Sequence, residues 1–148
     1  MTTTKEGMTL NTYEITLKDN AYKYNNVAVT FNLDSVTDEK GDKIFNFKVT
    51  STFDNQSVST DLALFESDMQ QLQQFELKTG MTDINFLEPD LYLSVIHLEG
   101  DEIILYVHYD SGMLYSNTGT DSGVAVKLNV TQHAFLSFID ELTDLIKE

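Results

Sequence analysis

The chain has 148 residues, with 24 acids against nine bases, a formal charge of −15 and a pI near 4.3. Such acidity argues against binding nucleic acid through its phosphates and against an anionic membrane surface. All nine bases are lysines and there is no cysteine, which removes disulfides, thiol nucleophiles, thiolate zinc sites and the planar guanidinium fork that grips anions at two points.

Apolar residues make up 41%, enough for one core at this length. A single domain over 1–148 is expected, with 1–10 as a flexible N-terminal tail. The opening Met1-Thr-Thr-Thr-Lys-Glu-Gly holds no apolar stretch of signal-peptide type. No window is long and apolar enough for a membrane helix. A cytoplasmic protein is the simplest expectation.

The first half alternates with period two: Tyr13, Ile15 and Leu17; Val27, Val29, Phe31 and Leu33; Phe45, Phe47 and Val49; Val58, Leu62 and Leu64. Alternation places one face on a core and one in water, as in antiparallel sheets. Asn25-Asn26, Asp38 to Asp42 and Asp54-Asn55 punctuate the runs as hairpin turns. The period then changes. Ser67-Asp68-Met69-Gln70 has capping-box form, Phe65, Met69, Leu72 and Phe75 (or Leu77) make a helical stripe, and Gly80 stands where a glycine releases a helix. A helix is predicted near 67–78.

Strands resume with Ile84 and Phe86 before Pro89, then over 90–99 and 102–110, then at Val124, Val126, Leu128 and Val130. The chain closes in a helix over 131–147, in which Phe135, Phe138, Ile139, Leu142, Leu145 and Ile146 form a stripe. The expected class is α+β: antiparallel, mostly meander sheet of about eight strands with two amphipathic helices. The two halves resemble each other in element order, without a residue-level repeat.

A two-residue turn at Gly100-Asp101 pairs residues 90–110 so that Leu93 opposes His108 and His97 opposes Ile104. Both faces of that hairpin are largely apolar, so cover on both sides is expected. His97 and His108 then share a face but stand roughly 13 Å apart at about 3.3 Å per residue, too far to hold one ion. His133 falls in the first turn of the last helix and is expected to be exposed.

No phosphate-binding glycine loop, nucleophile elbow or His-Glu-x-x-His pair occurs. Asn117 and Asp121 in the polar loop 116–123 offer oxygen ligands, but the spacing fails the standard calcium loop, as does Asp34 to Asp42. No catalytic residue, cofactor or metal site is assigned.

The charge is uneven. Residues 1–80 hold 12 acids and seven lysines, and residues 81–148 hold 12 acids and two lysines. Between Thr79 and Val126 there are eight acids and no base: Asp83, Glu88, Asp90, Glu99, Asp101, Glu102, Asp110 and Asp121. A one-signed surface steers a basic partner, and these eight are the candidate partner-binding surface; solubility alone is the simpler use of such charge.

The stretch Phe86-Leu87-Glu88-Pro89-Asp90-Leu91 resembles the "F-x-E-P-x-L" stretch of immunity proteins of the wall-associated-protein (WapI) type, with Phe86, Glu88, Pro89 and Leu91 at the motif. The following apolar strand pair, alternating strand and amphipathic last helix fit the same layout over most of 60–148. The resemblance implies a non-enzymatic cytoplasmic protein that binds and neutralises a bacterial toxin domain. Many such toxins are nucleases with basic clefts, which an acidic surface would occupy. Read from the residues alone, Pro89 fixes its own φ and pushes Glu88 toward extended backbone. Glu88 then accepts backbone amides at the strand entrance or is solvated.

Two further classes remain open at the level of sequence. Nine phenylalanines and seven tyrosines on a curved sheet could line a small-ligand pocket. A carboxylate-based hydrolase would need two acids in one cleft, about 5–10 Å apart. An edge strand at 12–18 offers a route to a homodimer.

Overall fold

The computed structural model describes residues 13–110 and 123–147. Four strands come first: β1 Tyr13–Lys18, β2 Ala28–Glu39, β3 Asp42–Phe53 and β4 Gln56–Phe65, with a helical turn, α1 Tyr22–Asn25, between the first two. They form one antiparallel sheet in chain order. Helix α2, Glu66–Gln73, then carries the chain to β5 Gly80–Asn85, β6 Leu91–His97, β7 Glu102–Asp110 and β8 Gly123–Thr131, a second antiparallel sheet in chain order. Helix α3, Gln132–Thr143, and a 3-10 turn, Asp144–Lys147, end the described chain. The class is α+β, as expected. The eight strands divide into two meanders of four rather than running on as one sheet, and each meander is followed by a helix.

Two of the three predicted turns have the chemistry that tight hairpins require. Lys40 and Gly41 both take positive φ, at 55° and 90°, and so do Asp54 and Asn55, at 47° and 63°. That is type I′ geometry, whose twist matches the strands it joins. The Asp38 carboxylate accepts the Gly41 amide at 3.0 Å. Asn25-Asn26 differs: it ends α1, with Asn26 left-handed at φ 57°, instead of forming a tight turn.

Helix α2 is shorter than predicted and starts earlier. Its cap is at Phe65, whose amide donates to the Asp68 carboxylate at 2.9 Å, and Ser67 is exposed in its first turn. The second Asp68 oxygen accepts the Leu87 amide at 3.1 Å, so this buried acid ties two segments together. The helix ends at Gln73, because Phe75 leaves the spiral to pack edge-on against Phe135, with ring centres 5.8 Å apart. Gly80, with φ at 98°, opens β5 rather than closing the helix.

Helix α3 follows its prediction. The Thr131 hydroxyl caps it by accepting the Ala134 amide at 3.1 Å, and Phe135, Phe138, Ile139 and Leu142 are buried, followed by Leu145 in the 3-10 turn. His133 is exposed in its first turn. The helix packs on α2 and β1, and Phe138 meets Phe31 of β2 edge-on at 5.6 Å. One hydrophobic core draws side chains from both sheets and both helices.

Two polar contacts lock the sheets together. Ser51 on β3 and Tyr109 on β7 share a buried hydrogen bond of 2.6 Å. Burial pushes the Tyr109 hydroxyl up to about 12, against the lowering effect of Ser51. Asp19, just after β1, accepts the Asn129 amide of β8 at 2.6 Å through one oxygen, and the Ala21 amide and Asn25 side chain through the other. Burial alone would raise the Asp19 pKa; these donors and the charge of Lys127 outweigh it and hold the carboxyl below its ordinary value. In a chain without arginine, several acids are matched by backbone amides: Glu66 also accepts the Lys43 amide at 2.8 Å.

Strand β1 lies at an edge of the first sheet, as expected for 12–18. The predicted tail falls outside the described residues. No helix among the described residues is long and apolar enough to cross a membrane.

Candidate functional site

The β6–β7 hairpin is one residue out of the predicted register. Leu91 opposes Tyr109, Tyr92 opposes His108, and the last pair is His97 with Ile103. A wider connection replaces the tight turn at Gly100-Asp101. The start of α3 holds it open: the Gln132 amide donates to the Asp101 carbonyl at 2.8 Å, and its side-chain nitrogen donates to the Gly100 carbonyl at 2.7 Å.

A slip of one residue exchanges the faces of a strand. Leu91, Leu93 and Val95 now point into the core with Tyr109, Val107 and Leu105. Tyr92, Ser94 and Ile96 point outward with His108, Tyr106 and Ile104. The outward tyrosines, isoleucines and histidine are half-buried, which corrects the expectation of full cover on both sides. His97 and His108 lie on opposite faces, not on the shared face predicted for them. Among the described residues no group of three or more His, Cys, Asp or Glu is placed to hold a metal ion. Asn117 and Asp121 fall outside those residues.

Three rows cross the outward face. Asn85, Tyr92, His108 and Ala125 form one; Asp83, Ser94, Tyr106 and Lys127 form the next; Met81, Ile96, Ile104 and Asn129 form the third. A chain of hydrogen bonds runs along the middle row and crosses into the first. The Ser94 hydroxyl donates to Asp83 at 2.7 Å and meets His108 Nε2 at 2.9 Å. A carboxylate only accepts, so the serine proton is committed to Asp83 and His108 Nε2 must donate. The chain therefore sets the His108 tautomer and ring plane. With the serine proton on the Asp83 side and His108 Nε2 donating, the imidazole is not placed as a base for Ser94. The His108 ring stacks on Tyr92 with centres 4.1 Å apart and planes 10° from parallel.

The third row is apolar from Met81 to Ile104 and is open at the Met81 end. Met81 is 67% exposed, and Leu98, just beyond β6, is 63% exposed. Ile96, Leu98 and Ile104, with Thr79, Glu99 and Glu102, line an open groove of about 510 Å³.

The eight candidate acids do not form one patch. Glu99, Asp101 and Glu102 are exposed together at the β6–β7 connection, beside the groove, and Asp83 is exposed on the outward face. Asp90 and Asp110 stand at the other end of the hairpin, across the seven residues of β6 and roughly 23 Å away at about 3.3 Å per residue. Glu88 turns toward the first sheet, where it accepts the Ala63 amide of edge strand β4 at 2.9 Å. Asp121 falls outside the described residues. The Asp83–Ser94–His108 chain was hidden in the sequence because its members become neighbours only across strands, in the observed register.

The motif residues are spent on the scaffold. Phe86 and Leu91 are buried, and Glu88 caps a backbone amide. No family model, curated protein or solved structure matches the chain.

Proposed function

We propose that this protein is an immunity-type binding protein, which neutralises a basic toxin domain by docking it on the outward face of the second sheet. The observation that carries the reading is the apolar strip of exposed Met81 and Leu98 with half-buried Ile96 and Ile104, set beside Asp83, Glu99, Asp101 and Glu102. An apolar centre with a charged rim is the anatomy of a protein-docking surface. A rim of one sign selects a partner of the other and speeds its arrival. The resemblance at Phe86, Glu88, Pro89 and Leu91 supplies the toxin-neutralising class of partner; those residues serve the scaffold and are not assigned to the interface.

The test is capture of a basic protein from a lysate of the cells that make this chain, with elution by salt. The captured protein is then offered two charge-reversed variants. Reversal of Glu99, Asp101 and Glu102 to lysine is expected to weaken binding strongly, and reversal of Glu14 and Asp61, exposed on the first sheet, to leave it intact. Equal binding to both variants rejects the outward face.

A further inference from the structure

We infer that the groove beside the β6–β7 connection receives an arginine side chain of the basic partner. The inference rests on the docking reading above and adds to it the chemistry of the anchoring residue. Ile96, Leu98 and Ile104 give the groove aliphatic walls, while Glu99 and Glu102 place two carboxylates on the same lining. A long cationic side chain satisfies both features at once, with its methylene stem against the walls and its charge at the carboxylates. Guanidinium fits better than ammonium. It is less strongly hydrated, its flat surface tolerates apolar contact, and its several donors reach two carboxylates together.

The groove's own lining holds no such group; exposed Lys78, which precedes the lining residue Thr79 in sequence, is not part of that lining. Its lining includes no base among the described residues, and the segment from Thr79 to Val126 contains none. The row through Ile96 and Ile104 ends at Asn129; Lys127 stands in the neighbouring row, opposite Tyr106. Every cation is a lysine, so the chain has no arginine to compete for the groove. The volume of about 510 Å³ admits one extended side chain with its flanking backbone.

The experiment titrates the isotope-labelled protein with three short capped peptides that differ at one central residue: arginine, lysine or citrulline. Citrulline keeps the shape and removes the charge. The arginine peptide is expected to shift the amides of Ile96, Leu98 to Glu102 and Ile104, and to bind about fivefold more tightly than citrulline, the ratio an exposed ion pair of about 1 kcal/mol supports. The double variant Glu99→Gln/Glu102→Gln, exposed at both positions, is expected to keep its spectrum and lose that advantage. Leu98→Ser is expected to weaken the arginine and citrulline peptides alike. Shifts elsewhere, no shifts, equal binding of arginine and citrulline, or tighter binding of lysine would each overturn the inference. If the peptides fail while the charge-reversed face still loses its partner, the groove is wrong and the docking reading stands. If the arginine peptide binds but the partner ignores the reversal, the docking reading fails and the groove remains a cation site.

Discussion

Ser51 and Tyr109, 58 residues apart in sequence, meet through a 2.6 Å hydrogen bond inside the protein and join the two sheets. Both are buried, so neither hydroxyl has solvent as an alternative. Tyr109→Phe leaves Ser51 without its partner and is expected to cost about 1–3 kcal/mol in denaturant unfolding at neutral pH. Because burial raises the Tyr109 pKa from 10.0 to about 12, its contribution is full below pH 10 and is lost as pH climbs through 12. Tyrosine absorbance is expected to show one late-titrating group, which Tyr109→Phe removes. Absence of a late phase in the wild type would count against the burial of the Tyr109 hydroxyl.

Asp19 works at the acid end. Its carboxyl is held below the ordinary value of 3.8, so its stabilisation is present above that pH and lost as pH falls through the lower folded value. Asp19→Asn turns an amide toward three donors and is expected to cost about 1.5–3 kcal/mol near neutrality. The variant is also expected to show a shallower acid decline in stability, and faster hydrogen exchange at the Asn129 amide. An unchanged exchange rate there would contradict the assignment.

Glu88 offers a separate test of its structural role. Glu88→Ala frees the Ala63 amide on edge strand β4 and is expected to cost about 1–2 kcal/mol. Partner binding by the still-folded variant is expected to be unchanged. A selective loss of binding without loss of stability would return Glu88 to the interface.

Much of this architecture was legible in the residues. Phe45, Phe47 and Val49 alternate and are buried together; Lys40-Gly41 and Asp54-Asn55 turn where small polar residues cluster; Thr131 caps the last helix above its apolar stripe. The hairpin register was not legible. Gln132, distant in sequence, holds the Gly100 carbonyl and widens the connection, and no local pattern encodes that contact. The one-residue error hid the outward face, since it assigned Ile96 and Ser94 to the wrong neighbours. Glu88 belongs to the acidic run by formal charge, which does not reveal a backbone donor such as the Ala63 amide. The end of α2 was missed for a related reason: Phe75 continues the helical spacing, yet tertiary contact with Phe135 draws it out of the spiral.

The hydrogen-bond chain on the outward face predicts a spectroscopic change. Ser94→Ala removes the acceptor of His108 Nε2 and frees Asp83. Nitrogen shifts of the imidazole are expected to show the Nε2-protonated tautomer in the wild type and a mixture in the variant. The stability change is expected to stay below about 2 kcal/mol, because the serine bridges groups at a partly exposed face. A wild-type ring protonated only at Nδ1 would reverse the direction of the chain.

The most direct test of the docking proposal is the salt dependence of affinity between the purified, captured partner and two variants of this chain. One carries Glu99→Lys, Asp101→Lys and Glu102→Lys; the other carries Glu14→Lys and Asp61→Lys. The proposal predicts that the first binds weakly at every ionic strength with a flattened salt response, and that the second follows the wild type. The same affinity and salt slope for both variants would contradict it.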